Sequence, residues 1–299
     1  GSAIGRPIDL DESRSAAGFH ETEQLRRERT RTQDGETHAN VSQVIETREV
    51  AYDVDGLTMV AHLARPDGDG HWPAVLMGHD GVGLEDYQRG RADHLATHGY
   101  VCLALDYHGG QTFFGNPEAM LARVMPLIAD PARMQAIGRA ALDVLLAVPG
   151  VNRDRLGAVG YGAGGSIVLE LASAGVPFKA LAAIHPGLPT ARPQDWINVT
   201  GPFLLCTGSE DPLCTPDQVL AFTRALQEAG VDWRVHVYGG AEHAFWAAPT
   251  NPDGSLTGGT THVNATVPGV SYHPAHAARS WRAVLDLFDE TIGTPPVPA

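Results

Sequence analysis

Positive charge is scarce in this 299-residue chain: 21 Lys and Arg stand against 35 Asp and Glu, a formal net charge of −14. A nucleic-acid binder presents a concentrated basic face, so nucleic acid is excluded as a partner. Long apolar runs are also missing. None approaches the roughly 18 uncharged apolar residues of a membrane-spanning helix, and no basic segment followed by an apolar stretch opens the chain. The expectation is a soluble, cytoplasmic protein with no membrane partner. Cysteine is reduced to Cys102, Cys206 and Cys214, without C-x-x-C spacing, which argues against a disulfide framework or a thiolate metal site. Each lies in or beside an apolar run, as a buried free thiol does. What remains is a chain with 43% hydrophobic residues, enough for a large core, and 34 glycines whose placement carries information.

The polar stretch up to about residue 43 has almost no apolar periodicity and is expected to be a flexible or surface-draped arm. From Val44 the texture changes. Two β-rich segments flank Asp53-Val54-Asp55-Gly56 and predict a hairpin. Short apolar runs (74–77, 101–105, 156–159, 180–184, 203–206, 233–238) then alternate with helical spacing (87–98, 117–127, 132–148, 166–174, 216–229, 275–291). That alternation predicts one α/β domain over 44–292, with a mostly parallel sheet covered on both faces and a short tail at 293–299. The Gly-, Pro- and Thr-rich stretch 247–272 predicts a loop that walls the site.

Ligands of such sheets meet the loops at the carboxyl ends of the strands. After 77 stands Gly78-His79-Asp80-Gly81, after 159 Gly160-Tyr161-Gly162-Ala163-Gly164-Gly165, after 206 Thr207-Gly208-Ser209-Glu210-Asp211-Pro212, and after 238 Gly239-Gly240-Ala241-Glu242-His243-Ala244-Phe245. An acid after one late strand and a histidine after the next suit a carboxylate-oriented base: Asp211 accepts from one ring nitrogen of His243, leaving the other free. The nucleophile of an α/β-hydrolase occupies the middle of G-x-Nu-x-G on a strand-to-helix turn. Here that position is Gly162.

These segments, with Gly99-Tyr100 leading to Asp106 and the helix carrying Ala277-Ala278 and Trp281, together resemble the dienelactone hydrolase family in order and over about residues 44–292. The resemblance implies an α/β-hydrolase fold, no cofactor, and a Cys-His-Asp triad that opens lactones or related esters through an acyl-enzyme. It assigns the base to His243, the acid to Asp211, and the oxyanion donors to the backbone N–H groups near Gly81 and of Ala163. Gly162 departs from it, since family members carry Cys or sometimes Ser there, and Asp80 is shorter than the family's common Glu. His79, Asp80, Tyr161, Phe245 and Trp246 are the candidate substrate contacts.

The leading expectation is an enzyme acting without a covalent step on a small carbonyl-containing metabolite, by direct hydrolysis, elimination, isomerisation or cyclisation. The alternatives are a non-catalytic ligand- or partner-binding relative and an ordinary Cys-dependent hydrolase captured as a nucleophile-to-glycine variant. A homodimer is compatible with each. Gly160, Gly162 and Gly165 also satisfy G-x-G-x-x-G, but the motif lies past the middle of the domain and the next strand ends in His185-Pro186 rather than an acid. A dinucleotide-binding oxidoreductase is therefore a remote alternative. His94 and His98 stand four apart without the following acid of a zinc helix and read as surface residues, so no metal is expected. Ser166 lies a turn into the helix, away from the strand tip.

Overall fold

A computed structural model describes residues 44–189, 192–248 and 268–293. The chain divides into two units, 1–41 and 42–299. The expected arm, the end of the tail and most of the 247–272 loop lie outside the described residues.

The first two strands, β1 (Ile45–Val54) and β2 (Leu57–Pro66), form the expected hairpin. Asp55 and Gly56 turn it with φ of 49° and 79°, the left-handed pair that a two-residue hairpin loop requires. Next come β3 (Trp72–Gly78), α1 (Asp86–Thr97), β4 (Val101–Leu105), α2 (Pro117–Ile128) and α3 (Pro131–Leu146). The rest of the domain runs β5 (Val151–Tyr161), α4 (Ala163–Ser173), β6 (Ala180–Ile184), β7 (Phe203–Gly208), α5 (Pro216–Glu228), β8 (Trp233–Tyr238) and α6 (Pro274–Thr291).

These strands make one eight-stranded sheet in the order β1-β2-β4-β3-β5-β6-β7-β8, antiparallel at β1/β2 and β2/β4 and parallel from β4 to β8. Every residue of β4 and β6 is buried, because helices cover both faces. Alternate side chains feed opposite cores. Leu76, Leu103, Ala158 and Leu205 pack toward α3, α4 and α5, while Val75, Cys102, Val159 and Leu204 pack toward α1 and α6. This is the α/β-hydrolase fold. Among the described residues no helix is long and apolar enough to cross a membrane.

Two boundaries matter for the site. Strand β5 continues to Tyr161, and α4 starts at Ala163, three residues before the sequence pattern suggests. The helix therefore springs from the strand through the single residue Gly162.

Candidate active site

The turn at Gly162 is held by backbone contacts. Its N–H donates to the Ile184 carbonyl at 3.0 Å, and the Gly164 N–H donates to the His79 carbonyl at 3.0 Å. The helix start lies so close to β3 that a Cβ on Gly164 would come within 2.3 Å of the Gly78 carbonyl carbon, so a side chain is excluded there. Gly162 itself has φ 50° and ψ −120°, a conformation that costs an L-residue strain and glycine almost none.

Asp211 and His243 meet as the strand-end reading requires. The loops after β7 and β8 are tied by Ser209 N–H to Tyr238 O and Glu210 N–H to Ala241 O. His243 is fixed by its N–H to Gly269 O and by Ser271 N–H to its own carbonyl. Its Nδ1–H donates to the Asp211 carboxylate, 3.0 and 3.1 Å from the two oxygens. That carboxylate is buried and also accepts from the Leu213 and Cys214 N–H groups at 2.8 and 3.1 Å.

The second ring nitrogen of His243 is not free, contrary to the sequence reading. His185, the residue after β6, places its Nδ1 3.2 Å from His243 Nε2, with the two rings edge to face at 80°. With His243 donating Nδ1–H to Asp211, the neutral ring presents Nε2 as an acceptor, and His185 Nδ1–H is the donor. A φ of 41° at His185 turns its ring toward His243. A Cβ built on Gly162 would stand 3.2 Å from His185 Cε1, so this imidazole fills the flank of the elbow. His185 follows β6 and so stands in the same row of strand-end loops as Gly162, Asp211 and His243.

On the opposite side, the loop after β3 is braced from behind. Asp80 Oδ1 accepts from Val82 N–H and Gln88 Nε2–H at 2.9 and 3.1 Å, and Tyr107 O–H donates to the Asp80 carbonyl at 2.5 Å. Burial, reinforced by the neighbouring His79 ring, pushes His108 down to about 3. It stays neutral and donates Nε2–H to the Gly81 carbonyl at 3.0 Å. Behind it, Asp106 is buried, which works to raise its carboxyl pKa. The His79 ring and the amides of Val60 and His108 outweigh that and hold it well below the ordinary range. Gly81 and Ala163 both line the cleft, and among the described residues neither backbone N–H donates to a backbone carbonyl of a turn or loop.

The cleft holds about 140 Å³. Gly162, Ala163, Asp80, Gly81, His185 and His243 form its floor, and Met120, Leu121, Val124, Met125 and Ile128 of α2 form an apolar wall, with Leu213 and Val270 opposite. Sequence reasoning missed the α2 wall. Its signal was a helix with apolar residues on more than one face, Leu121 and Met125 being surplus to those it buries in the core.

Four candidate contacts do not line this cleft. His79 is fully buried, with its ring stacked on Tyr107 at 3.8 Å and its Nδ1 bonded to the Asp80 carbonyl. Tyr161, at the end of β5, faces the α6 side and stacks on Trp246 at 3.8 Å, and Phe245 is wholly buried beside them. A left-handed Ala244 (φ 57°) explains the last two: the turn presents Ala244 to the cleft and sends Phe245 and Trp246 into the core. Asp80 alone of the five substrate candidates borders the space.

Among the described residues no cluster of three or more His, Cys, Asp or Glu is arranged to hold a metal ion. All three cysteines are buried free thiols. Burial pushes Cys206 and Cys214 up to about 12 and raises Cys102 too, so none is poised as a thiolate.

The dienelactone hydrolase family profile matches residues 59–292. The chain is 26% identical to "Protein usf" of Aquifex pyrophilus over 252 residues, 81% of this chain and 97% of the relative. It is 27% identical to "Probable 2-oxo-3-(5-oxofuran-2-ylidene)propanoate lactonase" of Bradyrhizobium sp over 199 residues, 64% and 80% of the two chains. Among solved structures, "m3DLH" is 35% identical with a TM-score of 0.73, the match covering 83% of this chain and 99% of the other. A dienelactone hydrolase-like promiscuous phosphotriesterase from metagenomic libraries is 31% identical, with the same TM-score and coverage. The chain belongs to the dienelactone hydrolase family.

Proposed function

We propose that this dienelactone hydrolase-like chain hydrolyses a lactone or ester without forming an acyl-enzyme, with His243 drawing a proton from water in place of a thiol. The observation that carries the reading is the intact Asp211-His243 pair set against an elbow whose central residue has no side chain. A hydrogen at position 162 cannot attack a carbonyl, and the buried thiols cannot replace it.

His185 stands against the elbow in the resting enzyme, and its movement off His243 opens room on the scale of one water. A carbonyl seated against Gly81 and Ala163 presents its oxygen to two N–H groups, and the helix N-terminus at Ala163 adds a favourable field for the developing oxyanion. His243 takes the water's proton at Nε2 as the oxygen attacks, and Asp211 stabilises the resulting imidazolium. The proton then passes to the leaving alkoxide, giving acid plus alcohol, or the ring-opened hydroxy acid. In the resting enzyme Nε2 is held by His185, which yields that nitrogen to the water when substrate is bound. Asp80 borders the same space from the β3 side. A triad enzyme stripped of its nucleophile keeps roughly 10³–10⁴-fold catalysis from oxyanion hole and binding, so the arrangement supports turnover.

The same base could remove a C–H or O–H proton from a carbonyl compound, giving elimination, isomerisation or cyclisation. Incubation with a panel of lactones and esters, read by mass spectrometry, separates these routes. Hydrolysis adds the mass of one water, elimination of water subtracts it, and isomerisation or cyclisation leaves it unchanged. Turnover is expected with the gain of one water, and His243→Ala should abolish it. Equal turnover by that variant would exclude His243 as the base. Binding without any product, unaffected by His243→Ala, would mark a non-catalytic relative.

A further inference from the structure

Of the side chains that line the cleft among the described residues, only Asp80, His185 and His243 are ionisable, and none is Lys or Arg. The nearby cation on the wall helix turns away, since Arg123 donates Nη2–H to the Tyr107 carbonyl behind the site at 3.3 Å. The mouth is as apolar as the wall: Leu121, Met125 and Leu213 line it while 41%, 56% and 55% exposed.

From this lining we infer the substrate class: an uncharged lactone or ester with an apolar body, and not a lactone that carries a free carboxylate. A carboxylate taken into this cleft would give up its water, meet no fixed positive charge, and come beside the Asp80 carboxylate in a space where charges are weakly screened. A neutral acyl group or ring instead gains by covering the methionine and leucine side chains of α2. The volume agrees with a body of one ring, since a dry apolar cavity of ~150 Å³ accepts benzene. The inference rests on the proposed function only in taking this cleft as the substrate site.

The test uses ligands that cannot be hydrolysed, so that an absence of turnover cannot imitate its failure. With ¹³C-methyl methionine in the full chain, the Met120 and Met125 methyl signals are assigned by Met120→Leu and Met125→Leu. They are followed at pH 8 during titration with cyclohexyl methyl ketone and, separately, with cyclohexanecarboxylate. The ketone should shift both signals and bind at least tenfold more tightly. Leu121→Arg, a change at an exposed rim position, should narrow or reverse that preference. Equal or tighter binding of the carboxylate to the unmodified protein overturns the inference, as does failure of both ligands to move either methyl signal. Ketone binding to a protein inactive toward every ester and lactone would overturn the hydrolytic reading and leave the substrate class standing.

Discussion

Replacing Gly162 by cysteine restores the family's nucleophile in name, and the His185 ring bonded to His243 predicts that this alone does not restore its chemistry. Two costs arise at the elbow. The backbone at φ 50° and ψ −120° is one that a non-glycine residue occupies under strain of about 1–3 kcal/mol. The new Cβ would also stand 3.2 Å from His185 Cε1, so the ring must give way by a few tenths of an ångström. In a domain of this size, a loss of 1–3 kcal/mol lowers Tm by about 2–12 °C. The chemical obstacle is separate: the imidazole nitrogen that should activate the thiol is bonded to His185 at 3.2 Å. A mobile water can enter when that ring moves aside, whereas a Cβ fixed 3.2 Å from the ring holds the thiol against His185 rather than in its place. G162C should therefore be less stable, by scanning calorimetry, and give no rapid burst of nitrophenolate from p-nitrophenyl acetate in stopped flow. G162C combined with His185→Gly removes the competing ring and the left-handed φ of 41° at a non-glycine residue. That double variant should release a burst approaching one equivalent and lose less stability than the two single changes summed. A full burst from G162C alone, at unchanged Tm, would refute the idea that His185 has taken the nucleophile's place beside His243.

Asp211→Asn keeps the size of the side chain but lets His243 adopt the wrong tautomer. It should lower kcat by about 10²–10⁴-fold, and an unchanged kcat would show that Asp211 only braces the loop. Burial pushes Glu85, the cap of α1, up to about 8, with Asp80 adding to the effect against the opposing N–H bonds of Tyr87 and Gln88. A carboxyl raised in the folded state favours the protonated form, so its contribution to stability is full below the unfolded value near 4.5 and is lost as pH climbs toward 8. Glu85→Gln should flatten the decline of Tm between pH 5 and 8.5; an unaltered slope would assign the decline elsewhere. Asp106→Asn leaves the amides of Val60, His108 and Gly110 facing a weaker acceptor and should cost about 2–4 kcal/mol in urea unfolding.

How much of this could be read from residues alone depended on which property each residue expressed. The strand runs were legible because a parallel sheet covered on both faces needs unbroken apolar segments, as at Val101–Leu105 and Ala180–Ile184. Asp211 and His243 were legible because the crossover topology forces strand ends into one row of loops. His185 belongs to that row but was passed over, since its role comes from one left-handed φ and from the ends of β6 and β8 converging. Local backbone hand is equally silent in sequence, so Trp246 stands there as a substrate contact and Phe245 as a contact or a core residue alike: the turn at Ala244 decides which neighbour faces the cleft. The α2 wall escaped because periodicity shows that a helix has apolar surface to spare and does not show what that surface covers.

On the proposed mechanism, chemistry proceeds here without a covalent intermediate. This is tested most directly by intact-protein mass spectrometry of samples quenched in acid during steady-state turnover of a hydrolysed ester. Product should accumulate with the protein mass unchanged at every time point. A protein species heavier by the acyl group, formed and consumed at the rate of turnover, would contradict it.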